Sequence, residues 1–243
     1  MKKSMVAACI GLAAGLCAVS AAKGEDARDW EWSPVGIGFV APIQIPYVSS
    51  DVYGVRFGGL MGLNNTVYGL DLGLVNGCSA DFAGLQLGLV SWTDGSAYGL
   101  QLNAAANICQ ADAYGLQIGL CNYAFGEAVG AELGLVNING EAVGVQLAVV
   151  NLNNSASVGI QFGAFYNGNK SEFRGLSLGL INTTEKHTGL QVGCFNLAGR
   201  CSGIQLGLIN AASEMEHGVQ LGAINIINNS KALPVLPVMN VQF

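Results

Sequence analysis

The chain has 243 residues, of which 51% are hydrophobic and only 11% charged, with 35 glycines and 5 prolines; its mean hydropathy is +0.43. Soluble domains usually carry about 25% charged residues, so an ordinary water-facing protein is disfavoured, and the high hydrophobicity excludes intrinsic disorder. The formal charge of −6 leaves no basic footprint for nucleic acid or for anionic membrane surfaces.

The first predicted element is a secretory signal peptide over residues 1–22. Two lysines precede the apolar stretch Met5–Ala18, and the small-residue run Ala18-Val19-Ser20-Ala21-Ala22 offers a cleavage site. The stretch is shorter than the ~20 residues a spanning helix needs. Too few residues precede Cys9 for lipoprotein processing there. Residues 23–34 read as a lead-in, and 35–243 as a single repeat-built β domain. Five cysteines follow the leader: Cys78, Cys109, Cys121, Cys194 and Cys201. Their odd number and scattered spacing suit neither a zinc site nor a disulfide framework, and they read as small buried hydrophobes.

The domain is a tandem array. A glycine opens an eight-residue motif at positions 54, 69, 84, 99, 115, 130, 144, 159, 175, 189, 203 and 218, at intervals of 14 to 16 residues. The consensus is G-L-Q-L-G-L-V-N, nearly pure in Gly69–Asn76 and Gly203–Asn210. The residue after the glycine is apolar in every unit, the next is polar (Arg56, Asp71, Gln86 through Gln220), and the third is apolar again. Strict period-two alternation is a strand signal, and two glycines per unit would cost a helix roughly 1 kcal/mol each. Linkers rich in Gly, Asn, Ser and Asp, such as Thr93-Asp94-Gly95-Ser96, have turn composition. In two units of 16 residues the closing asparagine slips by one, to Asn107 and Asn167, which predicts a one-residue bulge. All five prolines lie outside residues 47–233, so the array is an uninterrupted sheet with special flanks. Pro42-Ile43-Gln44-Ile45-Pro46 and Leu233–Asn240 echo the motif, and counting both gives about 14 strand units.

Such a sheet closes in one of two ways. The leading expectation is an outer-membrane-type antiparallel β-barrel of about 14 short strands, with leucines facing lipid and the Gly/Gln columns facing a lumen. Sparse charge supports it, as do the terminal Phe243 and tyrosines 68, 98 and 114 ahead of the motif as an interfacial belt. The alternative is a parallel β-solenoid with ~15-residue coils, in which asparagines such as Asn76, Asn137 and Asn210 stack as a hydrogen-bonded ladder. The motif shows no 30-residue period, which an up-and-down barrel should impose, and the aliphatic column at Val75, Val90 and Ile209 would point into the lumen. Both observations favour the solenoid. In that version the leucines are expected inside and glutamines such as Gln146 and Gln161 in solvent.

Catalytic signatures are lacking in the sequence, and no cofactor or metal is expected. His187 and His217 lie in linkers and read as solvated; Asp71 and Glu132 interrupt the glutamine column and read as solvent-facing replacements or lumen charges. Arg56 occupies the same column one unit before Asp71 and is placed to pair with it. Trp30, Trp32 and Trp92 are candidate interfacial anchors or ordinary packing residues.

Taken together, Gly69–Asn76, Gly203–Asn210, the lead-in Ala41-Pro42-Ile43-Gln44-Ile45 with Asp51-Val52-Tyr53-Gly54, and the ending Leu236-Pro237-Val238-Met239-Asn240 resemble the bacterial surface-repeat family first named from leptospires. The resemblance covers roughly residues 35–243. It implies a location in the outer membrane or at the cell surface of a diderm bacterium and brings no catalytic residues. The expected function is therefore non-enzymatic, a structural or pore-like role in the barrel version and a binding or adhesive scaffold in the solenoid version. Outer-membrane lipid and the assembly machinery are the expected partners, and nucleic acid is not.

Overall fold

A computed structural model describes residues 31–230 and 233–243. The predicted leader and Trp30 lie outside the described residues. The chain divides into two compact units, one ending at Ala111 and one beginning at Asp112.

In the first unit, β1 (Trp32–Val40) and β2 (Ile43–Ile45) precede β3 (Asp51–Asn64), β4 (Val67–Cys78), β5 (Phe82–Thr93) and β6 (Ala97–Cys109). Strands β1, β3, β4, β5 and β6 are parallel neighbours in chain order. Their register aligns one motif with the next, so Gly54, Gly69, Gly84 and Gly99 form one column, and Arg56, Asp71, Gln86 and Gln101 another. The second unit comprises β7 (Ala113–Ile118), β8 (Cys121–Leu133), β9 (Val136–Asn153), β10 (Ser157–Ile227) and β11 (Val235–Gln242). Strands β7 to β10 are again parallel, with Gly115 opposite Gly130, Gly130 opposite Gly144 and Gly144 opposite Gly159. The 71-residue β10 is one extended run that winds through successive coils.

Both units are parallel β-solenoids, one repeat per coil. The antiparallel barrel is overturned, because the motif strands pair in parallel within each unit, β3 through β6 in the first and β7 through β10 in the second. A parallel partner one repeat away requires the chain to travel around a coil and return, and the 14- to 16-residue spacing is the length of that path.

The predicted bulges are present: register slips between Gly88 and Val90 opposite the Asn107 unit, and between Gly163 and Tyr166 in the Asn167 unit. A further slip, between Gly58 and Met61, sets Gly62 opposite Asn76. Neither motif-like flank is a coil. Strand β2 runs antiparallel to β1, with Ile37 opposite Ile45, and β11 runs antiparallel to the last coil, with Gln220 opposite Asn240. Each flank folds back as a lid over an edge whose unpaired backbone would otherwise invite another strand.

The opening glycine is required by geometry. Gly144 has φ of +135°, and a Cβ there would lie 2.0 Å from the carbonyl oxygen of Gly130. A side chain at this position would push neighbouring coils apart.

Candidate functional site: an apolar wrap around a polar core

Within each coil the sides are reversed relative to a conventional solenoid. Gln86, Gln191, Gln205 and Gln220 are fully buried, as are Asn76, Asn137, Asn151, Asn182, Asn196 and Asn210. The glutamines Gln146 and Gln161, expected in solvent for a solenoid, are buried too. The leucines expected inside instead face out: Leu133, Leu147 and Leu221 beside the glutamine column, and Leu74, Leu120, Leu135 and Leu208 at the following bend. What makes the inverted core tenable is its hydrogen bonding, since buried amides cost stability only when left unpaired.

Two amide columns carry that bonding. In the second unit, asparagine Nδ2 groups donate forward, from Asn122 to Asn137, Asn137 to Asn151, and on through Asn167, Asn182, Asn196 and Asn210 to Asn225, at 2.8–3.0 Å. Several also donate to the carbonyl of the next coil, as Asn182 does to Val192. Glutamine Nε2 groups donate backward, Gln161 to Gln146, Gln205 to Gln191 and Gln220 to Gln205, each at 2.7 Å. The Asn ladder anticipated for a solenoid is thus present, joined by a glutamine ladder.

The charged members of the glutamine column are buried, not solvent-facing. In the first unit the backward chain runs Gln101 to Gln86 to Asp71. There an acceptor-only carboxylate ends it, and Arg56 grips both Asp71 oxygens at 2.7 and 2.6 Å, as its column position suggested. Arg56 also donates to the carbonyl of Gly77. Burial works against the Arg56 charge, yet Asp71 together with Cys78 offsets it and holds the guanidinium above its ordinary value. Glu132 has no cation of this kind: Asn139 and Gln146 both donate to Oε2, at 2.6 and 2.8 Å. Burial pushes its carboxyl up to about 7.

A second interior column sits two residues before most opening glycines and is largely apolar: Val52, Val67, Phe82 and Ala97 in the first unit; Ala113, Ala128, Ala142 and Phe173 in the second, with Ser157 a buried polar member and Glu216, before Gly218, exposed. His187 belongs to this column. It is fully buried and stacked on Phe173, ring centroids 5.9 Å apart, so the solvated-linker reading is corrected; burial drives its imidazole down to about 4. His217 is exposed. Cys201 shares the column, and burial lifts its thiol to about 12. Cys78 and Cys109 are also buried, Cys121 and Cys194 are half-buried, and none of the five forms a disulfide among the described residues. Trp92 is a core residue whereas Trp32 is exposed.

The outer surface is segregated. Among the described residues, every charged side chain inside a motif (Arg56, Asp71, Glu132) points into the core. The remaining charges of the second unit lie in the linkers, where Glu127 stands opposite Glu141. The outward motif positions therefore form an apolar wrap bent around one corner of the coil. A shallow trough of about 640 Å³ runs along it, floored by Gly179, Gly193 and Gly207 and walled by Leu178, Leu180 and Leu208. In the first unit, Tyr53, Tyr68 and Tyr98 share the column where wrap meets linker. All three are exposed, and Tyr53 stacks on Tyr68 at 5.3 Å.

No grouping of three or more His, Cys, Asp or Glu residues capable of holding a metal occurs among the described residues. Comparison with known protein families, curated proteins and solved structures finds no match.

Proposed function

We propose that this chain is an exported, non-enzymatic scaffold of a bacterial cell envelope whose apolar wrap lies against hydrocarbon. The observation that carries the reading is the segregation of charge: outward motif positions hold none, while the linkers hold nearly all. Eight coils in the second unit at about 4.8 Å each, with roughly 20 Å of outward motif per coil, make a face of some 800 Å². The largest apolar patch on a soluble monomer is about 300–600 Å².

Lipid fits this face better than a flat protein partner, because the wrap turns a corner of the coil and hydrocarbon conforms to both sides. In the first unit, tyrosines 53, 68 and 98 border that unit's own wrap, where an amphipathic ring favours the headgroup level. Burying even 300 Å² would contribute about 7.5 kcal/mol at 25 cal/mol/Å², whereas a chain of net charge −6 gains nothing from anionic headgroups. The chain would lie in the interface rather than cross it. The predicted leader and the resemblance to surface-repeat proteins support reading that lipid as the outer membrane of a diderm bacterium.

The test is flotation of the purified mature chain with zwitterionic phosphatidylcholine vesicles at low and high salt. Co-flotation insensitive to salt is expected. A chain that stays in the dense fraction, whether as a monomer or as a soluble oligomer by light scattering, overturns the lipid assignment, and the oligomer would identify a second copy as the occupant.

A further inference from the structure

The polarity of the glutamine column has a consequence at Glu132. Where the column is continuous, each amide Nε2 donates back to the preceding coil: Gln101 to Gln86, Gln161 to Gln146, Gln205 to Gln191 and Gln220 to Gln205. Asp71 ends its column as a carboxylate, which is satisfactory because Arg56 supplies two donors from the coil before. Glu132 occupies an interior position instead. It accepts at Oε2 from Gln146 and Asn139, while its own partner in the preceding coil is Gln117, an amide. Oε1 is buried and makes no hydrogen bond. A carboxylate has nothing to donate in the backward direction; a carboxylic acid does.

Packing at this level points the same way. The apolar column is reduced to Ala113, Ala128 and Ala142, where other coils carry Val67, Phe82 or Phe173. The missing volume leaves an interior space of about 10 Å³ lined by those alanines together with Gln117, Glu132 and Gln146. That is about the room one water needs, provided polar partners surround it. No lining residue other than Glu132 is titratable: strand β7 contributes Ala113, Gly115 and Gln117; β9 contributes Ala142, Val143, Gly144, Val145 and Gln146; and the rest of the lining on β8 is Ala128 to Ala131. The nearest acidic residues along the chain, Asp112, Glu127 and Glu141, belong to linkers outside the lining.

We infer that Glu132 is a proton-binding site of the core, a neutral carboxylic acid whose Oε1–H donates into the water-sized space toward Gln117 and continues the backward hydrogen-bond chain. The proton comes from solvent, and its loss leaves a bare carboxylate with no cation among the residues lining that space. Because the folded chain then holds a proton that the unfolded chain has already released, stability falls as pH rises from the ordinary carboxyl value, near 4.5, to about 7, and is level above that. The site thus makes the second unit tighter in mildly acidic surroundings than in neutral ones.

Two measurements on the full mature chain test this. Infrared spectra should show one protonated-carboxyl C=O band persisting at pH 6, when solvent-exposed carboxyls are ionised, and Glu132→Gln should remove it; the wild-type titration of that band stands without the variant. The unfolding equilibrium constant of the wild type, divided by that of Glu132→Gln, should rise roughly tenfold per pH unit between about 4.5 and about 7. Use of the ratio cancels the opposing contribution of His187. Absence of the band at pH 6, or a ratio flat across that window, overturns the inference.

Discussion

Replacing Asn182 by alanine removes one rung of the forward amide ladder without touching the outer surface. Asn182 accepts from Asn167 and from the Ser177 hydroxyl, and it donates to Asn196 Oδ1 and to the carbonyl of Val192. Asn167 keeps its bond to the Leu178 carbonyl. The Ser177 hydroxyl and Asn196 Oδ1 are both buried and are left without these partners. At about 1–3 kcal/mol for each orphaned polar group, with some relief by local adjustment, the expected loss is ~3–5 kcal/mol. The informative control is Leu180→Ser, two residues away on the outside. Leu180 is 40% exposed in the isolated chain, so its replacement should cost no more than about 0.5 kcal/mol. Denaturant titration followed by circular dichroism measures both variants. In an ordinary domain the leucine variant would be the damaging one. Should Leu180→Ser cost more than Asn182→Ala, the assignment of a polar interior and an apolar exterior is wrong.

Further outcomes are expected from the same organisation. Arg56→Met leaves Asp71 buried with only Gln86 to bond it and should cost ~3–5 kcal/mol, most of which the double variant Arg56→Met/Asp71→Asn should restore, read as thermal midpoints. His187, held down near 4 by burial against an ordinary value of 6.5, binds its proton less readily folded than unfolded, so it should withdraw stability as pH falls from about 6.5 to about 4. In His187→Leu that part of the acid sensitivity should vanish from unfolding curves, and its persistence would place the effect elsewhere. Leu208→Arg puts a charge at the exposed bend of the wrap; it should leave the circular dichroism spectrum unchanged yet abolish vesicle flotation, and full flotation would dissociate this face from lipid.

Much of the architecture was legible because every coil repeats the same physical problem. The glycine columns, the alternation, the bulges at Asn107 and Asn167 and the Arg56–Asp71 pair all follow from aligning the motifs. Strand direction was harder to read, because period-two alternation with leucines outside and glutamines inside is common to a lipid-facing barrel and to this solenoid. The discriminating signal was the asparagine column itself. An amide can bond an identical amide on both sides only if identical positions stack, and parallel pairing achieves that whereas alternating strands do not. The inverted interior runs against the general rule that leucine goes to the core of a soluble coil. His187 departs from expectation for a local reason. Its linker composition suggests solvent, but its position two residues before Gly189 matches that of Val52, Phe82 and Phe173, and that column is internal.

The two amide columns also bear on how such an array can lengthen. Each aligned side-chain amide adds a small dipole along the stack, and a single column would accumulate charge separation with every added copy, as helix peptides do. Here the asparagines point one way and the glutamines the other. The increments oppose, so gene duplication can append coils without building an electrical strain that limits their number.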